Sequence, residues 1–393
     1  MVNKYCGKSY ILKIRVGVVG IGAMGHGIVQ VIQRNEDMEV VAVSDRNLPK
    51  LNRVKPFLSK NTLITPNPIE VLTVKPDVLV EASGAVIEAA LLIKKALEKK
   101  IHVVTLNGEV DQVFGLLLAK EAEANGVLYS SDAGDQPGAL SHKIEQVRNM
   151  GFEIVMAGNN KGFLNRYANP VVIKEEALKR RLSLKRCTSF TDGTKLAMEM
   201  ALVSNAFNLT ILQTGMIGPV LMNVNEVLNV YDLERARDLG GVVDYVVGAK
   251  PGGSVFVIGY SRDPEDQFYM NYYKMGEGPY YLFIRPYHLC HFETPLAIKR
   301  IMKGEPFLVQ KKRVLEVVAY AKIDLEPGTI LDGIGGYHLY GLLEKQGGLP
   351  IGLTEGTKLL SKKKRDEKIE WEDVDFPTND SRLDLWNKQE ALL

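Results

Sequence analysis

The stretch that most constrains this chain lies near its start. A β-branched run, Ile14 to Val19, opens directly into Gly20-Ile21-Gly22-Ala23-Met24-Gly25 and then into an apolar-periodic segment with Ile28, Val29, Val31 and Ile32. Strand, glycine turn and helix in this order suit one task. The first glycine permits a tight turn, the second lets backbone approach a diphosphate, and the third lets the helix pack on the strand. The helix start offers unpaired N–H groups and a partial positive charge to an anion. The next strand, within MEVVAVSDR, ends in Asp45, close to the roughly 20-residue offset at which a carboxylate meets an adenosine ribose. The pattern predicts a dinucleotide over Gly20, Gly22, Ala23, Met24 and Gly25, with Asp45 at the ribose and Arg46 beside it. A carboxylate accepts from both ribose hydroxyls and repels a 2′-phosphate, whereas Arg46 can pair with one. NAD is favoured, and NADP is retained as an alternative.

The alternation continues. PDVLVEASG, IHVVTLNGEVD and VLYSSDAGDQPG read as strands with their exit loops, separated by the helical segments VIEAALLIKKALEKK and QVFGLLLAKEAEANG. This rhythm predicts an α/β, doubly wound parallel sheet, whose ligands bind beyond the carboxyl ends of the strands. Ala82, Ser83 and Gly84, Asn107 with Glu109, and Asp132 with Asp135 then line the cofactor crevice. Asp132 reads equally well as a turn former.

At 393 residues the chain has room for two or three domains. Its net charge of +2 gives no basic field for nucleic acid. Cys6, Cys187 and Cys290 are widely spaced, which favours reduced thiols in a cytoplasmic protein. The N-terminal residues lack the apolar core of a secretion signal. No apolar run reaches the roughly 18 residues that a membrane span requires.

In the middle of the chain, SFTDGTKLAMEMALVSNAF (189–207) reads as one helix, apolar nearly all round, capped by Thr191 or Asp192 and interrupted by Lys195, Glu199 and Asn205. Those three residues form either a surface pair with a stray amide or a polar site in an apolar wall. The strand FEIVMAGNNKGFLNRY places Asn159, Asn160 and Lys161 at its end, a natural position for substrate contacts. In RPYHL, Arg285 offers a planar fork for an anion, and His288 titrates near neutrality. Read alone, His288 is more readily a structural hydrogen bonder. The tail alternates in short strands, and Lys362 to Arg365 is a short basic run followed at once by acids, which suggests a solvated hairpin.

Together RVGVVGIGAMG, AGDQP, DGTKLAMEMALVSNA, GVVDY, GPYYLFIRPYHL and AKIDLEPGTILDGIG resemble the 1-deoxy-D-xylulose 5-phosphate reductoisomerase-like family over nearly the whole chain. The resemblance implies a homoserine dehydrogenase-type NAD(P)-binding Rossmann domain (1–152), an α+β substrate domain (153–310) and a small β-rich SAF-like domain (311–393). It implies reduction or reductoisomerisation of a small polyol or sugar phosphate by a homo-oligomer. Lys195, Lys161, Asp192 and Glu199 would then be catalytic, with Lys195 stabilising the reacting oxygen. Asn205, Arg285, His288 and Asp135 would bind substrate, Arg285 with His288 anchoring its anionic group. Glu109, Asp132, Asp135 and Glu199 are of the right type to hold Mg²⁺ or Mn²⁺, although no spacing requires a metal. Three departures matter: Asp45 stands where NADPH-preferring members have a small residue, the loop GNNKG keeps one lysine, Lys161, where members can show two, and Glu109 follows Asn107 where homoserine dehydrogenases have a lysine. A homoserine dehydrogenase-type enzyme is the alternative, and a non-enzymatic dinucleotide-sensing binder is the second.

Overall fold

The computed structural model describes residues 13–345 and 347–392; Cys6 lies outside the described residues. Six strands, β1 (Ile14–Val19), β2 (Met38–Ser44), β3 (Leu63–Thr65), β4 (Val78–Glu81), β5 (His102–Thr105) and β6 (Tyr129–Ser131), pair in parallel in the order β3-β2-β1-β4-β5-β6. Helices α1 (Ala23–Gln33), α2 (Leu48–Val54), α3 (Ile87–Glu98) and α4 (Gly108–Asn125) run between them. This is the doubly wound Rossmann order, with its reversal between β1 and β4. The strands read as continuous apolar runs because helices cover both faces of the sheet, and Val16, Val18, Leu79, Val103 and Val104 are fully buried.

Helix α5 (Gln136–Asn149) leads to a second sheet of β7 (Glu153–Lys161), β8 (Val242–Val247), β9 (Val255–Tyr260) and β10 (Tyr280–Arg285), in the order β10-β9-β7-β8. Strands β7 and β8 are parallel, and the other pairs are antiparallel. Between β7 and β8 lie α6 (Lys174–Arg180), α7 (Leu184–Thr191), α8 (Thr194–Phe207), α9 (Val227–Val230) and α10 (Leu233–Asp238), and α11 (Pro264–Tyr272) joins β9 to β10. The single helix expected over 189–207 is therefore two. Gly193 has φ +89°, outside the helical region, and Asp192 Oδ1 accepts from Thr194 N at 2.9 Å across the break. Every residue from Thr194 to Ala206 is buried, so α8 is a core helix.

Helix α12 (Cys290–Met302) falls within the expected substrate domain but returns to the first one. Its His291 ring occupies the space that a side chain at Gly27 of α1 would fill, and Ala297, Ile298 and Ile301 join the core of Val16, Val18 and Ile28. The remaining residues form β11 (Glu316–Ala321) paired with β12 (Leu339–Glu344), β13 (Lys358–Leu359) paired with β14 (Val374–Asp375), and α13 (Ser381–Glu390). This tail is built into the body. Gly341 N donates to Thr194 Oγ1 at 2.9 Å, and Gln389 of α13 bonds the α4 backbone at Val113 and Leu117. In the basic run, Lys362 pairs with Glu326 at 2.6 Å and Lys363 with Asp373 at 2.5 Å. Among the described residues, no helix is long and apolar enough to cross a membrane.

Candidate active site

The three glycines of the first loop differ physically. Gly20 has φ +91°, and a Cβ there would lie 2.4 Å from Ser83 N; a Cβ at Gly25 would lie 1.9 Å from Gly20 O. Both close the packing of turn, strand and helix. A Cβ at Gly22 meets nothing within 4 Å. Gly22 is the N-cap of α1 and brings no side-chain cap, and the N–H groups of Ala23, Met24 and Gly25 have no partners within the helix, as at any helix start. Open space against free donors at a positive helix end fits a pyrophosphate.

Asp45 has a second duty. Its Oδ2 accepts from Ile21 N and its Oδ1 from Asn47 N, both at 2.8 Å, and Lys50 Nζ lies 3.5 Å from Oδ2. The carboxylate at the end of β2 thus also fixes the glycine loop. Arg46 is exposed and pairs with Glu88 at 3.5 Å. Ser83 N donates to Glu81 Oε1 at 2.8 Å, and Ser83 Oγ accepts from Ala85 N at 3.2 Å. Asn107, expected to contact cofactor, caps α4 through Val110 N and donates to Ala85 O at 2.5 Å. Its amide is used in holding the loops after β4 and β5 together.

Farther along the crevice, two periodicities bring the catalytic candidates into one place. Alternation along β7 puts Asn159 and Lys161 on one face and Asn160 on the other. Asn160 accordingly donates to Ala249 O, Pro251 O and Ser254 Oγ, bracing a loop rather than a ligand. Lys161 Nζ binds Glu199 Oε2 at 3.0 Å and Gln136 Oε1 at 2.6 Å, and Asn159 Nδ2 reaches the same carboxylate at 3.2 Å. On α8, Lys195 and Glu199 lie four apart and share a face, yet they pair with different partners. Lys195 Nζ lies 3.5 Å from Glu109 Oε2 and 3.9 Å from Asp135 Oδ2. A Cβ at Gly108, the first residue of α4, would fall 2.7 Å from Lys195 Nζ, so this glycine makes room for the ammonium. Burial alone would lower the affinity of Lys195 for its proton, but the combined charge of Glu109, Asp135 and Glu199 outweighs it and raises the pKa. The two flanking carboxylates hold the ammonium in place and favour its charged form. Burial raises the pKa of Glu199, against the opposing pull of Lys161 and Lys195.

Several expected site residues lie elsewhere. Asp192 Oδ2 pairs at 2.9 Å with Lys322, a buried ammonium that also donates to Ala168 O and Gly336 O. It is an anchor of the tail, not a member of the Lys195 cluster. Asn205 is likewise fully engaged: it donates to Gln310 Oε1 and Leu315 O and accepts from Val314 N and Leu315 N. That amide fastens the 310–315 segment and is not free for substrate. Arg285 pairs with Glu293 and stacks over Tyr287 at 5.1 Å, and His288 Nδ1 donates to Gly253 O at 2.9 Å. The fork expected to hold an anion already holds a carboxylate. Among the described residues, no group of three or more His, Cys, Asp or Glu side chains is placed to hold a metal; Glu109, Asp135 and Glu199 instead surround lysines.

Gln136, Cys290 and the charge state of Asp132 were not singled out from the sequence. Gln136 lies within AGDQP, and its position at the start of α5 is the only signal that pointed to it. Cys290 Sγ lies 3.9 Å from Asp135, and burial with the nearby Asp135 and Asp132 raises its pKa. Asp132 is pushed up to about 7 by burial and, to a lesser extent, by Asp135, although Gly134 N donates to it.

Comparison with known proteins finds two family models that match in succession along the chain. Residues 20–130 match the family model of the homoserine dehydrogenase NAD binding domain, and residues 134–294 match that of the oxidoreductase DRL catalytic domain. A homoserine dehydrogenase of Bacillus subtilis is 30% identical over 214 residues, 49% of this chain and 48% of that protein. One of Synechocystis sp. is 30% identical over 125 residues, 30% of this chain and 28% of that protein. The matches span about half or less of the length of these curated relatives. A solved homoserine dehydrogenase from Thiobacillus denitrificans superposes with a TM-score of 0.48 at 14% identity, over 91% of this chain and 97% of that one. Neither family model extends past residue 294, so the tail expected to be SAF-like gains no support from them. The chain is thus similar to a homoserine dehydrogenase-type NAD-binding domain followed by an oxidoreductase catalytic domain.

Proposed function

We propose that this chain is an NAD(P)-dependent oxidoreductase that interconverts an alcohol and a carbonyl on a small polar substrate. The observation that carries the proposal is the buried Lys195 ammonium, held between Glu109 and Asp135, which follow the carboxyl ends of β5 and β6 in the same parallel sheet whose β1 leads into the open Gly22 loop. A bound nicotinamide supplies or accepts the hydride. When a carbonyl carbon gains hydride its oxygen becomes an alkoxide, and Lys195 donates a hydrogen bond and then a proton to it. Glu109 and Asp135 keep that lysine charged and oriented. The Lys161–Glu199–Gln136–Asn159 network offers donors and acceptors to neighbouring hydroxyls of the substrate.

Homoserine dehydrogenase-type chemistry is preferred over reductoisomerisation of a sugar phosphate, because the similar proteins bearing an activity in their names include homoserine dehydrogenases. Glu109 in place of the expected lysine points to a substrate other than homoserine itself. A homo-oligomer remains part of the reading, with exposed Phe268, Tyr269, Tyr272 and Tyr273 on and after α11 as the apolar surface to cover. The test is a substrate screen followed by nicotinamide absorbance, with NAD(H) and NADP(H), with and without Mg²⁺ or Mn²⁺. It includes aspartate semialdehyde and 1-deoxy-D-xylulose 5-phosphate. Saturable turnover of a carbonyl substrate supports the reading; failure to bind either dinucleotide removes it.

A further inference from the structure

Arg186 was not among the residues that the sequence singled out. It lies in α7, whose cap Ser183 accepts from Arg186 N at 3.3 Å. Its guanidinium crosses from the second domain to the first: a Cβ at Gly84, in the loop that leaves β4, would lie 2.5 Å from Arg186 Nη2. The head group therefore lies against the backbone at Gly84. Its charge is also felt at Lys195, where it opposes protonation. Arg186 is half-buried. Among the described residues its side chain has no hydrogen bond and no ion pair, whereas Lys195, Lys161 and Arg285 all have carboxylate partners.

A planar fork of five donors, partly withdrawn from water and facing a second cation, is a costly arrangement until an acceptor arrives. The carboxylates of the cluster are already bound to lysines, so the described residues do not supply that acceptor. We propose that Arg186 binds an anionic group of the substrate, a carboxylate or phosphate, and so directs the reacting carbon toward Lys195. The proposal rests on the oxidoreductase reading of this crevice and deepens it: the substrate is an anion, not a neutral polyol. The anion anchor moves from Arg285 and His288 to Arg186 of α7.

The test uses the full chain saturated with NAD⁺, so that the pyrophosphate site is filled, and inorganic phosphate as the probe. Its apparent dissociation constant is read from the stabilisation of thermal unfolding, and dinucleotide affinity is read separately from NADH and NADPH fluorescence. Arg186→Met is expected to weaken phosphate binding by at least about tenfold, the scale of losing a charge-assisted contact. Arg186→Lys is expected to retain part of it, and dinucleotide affinity should stay within about twofold in both variants. Native near-ultraviolet circular dichroism verifies that the variants fold. Unchanged phosphate affinity in folded Arg186→Met overturns the proposal. So does an equal loss of NADH or NADPH affinity, which would assign Arg186 to the cofactor. Phosphate binding that depends on Arg186, in a chain that turns over no carbonyl substrate, would keep the anion site and remove the oxidoreductase reading instead.

Discussion

Replacing Asp132 by asparagine should make the protein more stable at neutral and alkaline pH. Asp132 follows β6, is 1% exposed, and is held near pKa 7 by burial, with Asp135 adding to the shift. Its ordinary value is 3.8. The folded state therefore binds this proton more tightly than the unfolded chain does. The group costs nothing below about pH 4, costs progressively more between about pH 4 and 7, and contributes a constant penalty above that. A gap of about 3 units is worth about 4 kcal/mol, the largest effect this one group can exert. Asparagine keeps an oxygen to accept from Gly134 N, now at 2.9 Å, and removes the charge. Urea unfolding of both proteins from pH 4 to pH 8.5 should show near-equal stability at the acid end. Asp132→Asn should then become the more stable by up to about 4 kcal/mol at pH 8. A stability difference that does not change with pH would refute the reasoning, as would a less stable variant at pH 8.

Gly22→Val should fold normally, because no atom lies within 4 Å of the new Cβ, yet lose dinucleotide binding; unchanged NADH and NADPH affinity in the folded variant would remove the pyrophosphate assignment. Asp45→Asn should shift the preference toward NADP(H) several-fold, the scale of about 1 kcal/mol for one charge pair at a partly wet site. Asparagine is chosen because it retains an acceptor for the Ile21 or Asn47 N–H, and the ratio of kcat/KM for the two cofactors measures the effect. Asp192→Ala should destabilise the fold by about 3–5 kcal/mol, since it strands the buried Lys322 ammonium. A loss below about 1 kcal/mol in urea unfolding would contradict the anchoring role.

The first domain was legible in the sequence because its signals are local. Strand, glycine turn and helix are contiguous, and the alternation that follows admits few topologies. The α8 cluster was half legible. Helical and strand periodicity place Lys195 with Glu199, and Asn159 with Lys161, but periodicity cannot say which partner each will meet. Glu109 and Asp135 reach Lys195 from the first domain, and Lys322 reaches Asp192 from the tail. Those pairings are long-range, and residue type alone could not separate a catalytic carboxylate from a buried anchor. Asn205 shows the same limit, since an amide on a buried helix serves a ligand or a neighbouring backbone equally well. Arg285 was misread because its partner Glu293 lies across the β10–α12 turn, and Arg186 was missed because nothing beside it in the sequence points to Gly84, about a hundred residues earlier.

The central claim is that Lys195 acts on the reacting oxygen and not on the cofactor. Turnover and NADH dissociation constant, measured on the same preparation of Lys195→Ala and wild type with the best substrate from the screen, test it directly. The account predicts turnover lowered by at least about a hundredfold, the scale of losing one acid–base or oxyanion contact, with NADH affinity changed by less than about threefold. Turnover within about tenfold of wild type, or a parallel collapse of NADH binding, would contradict it.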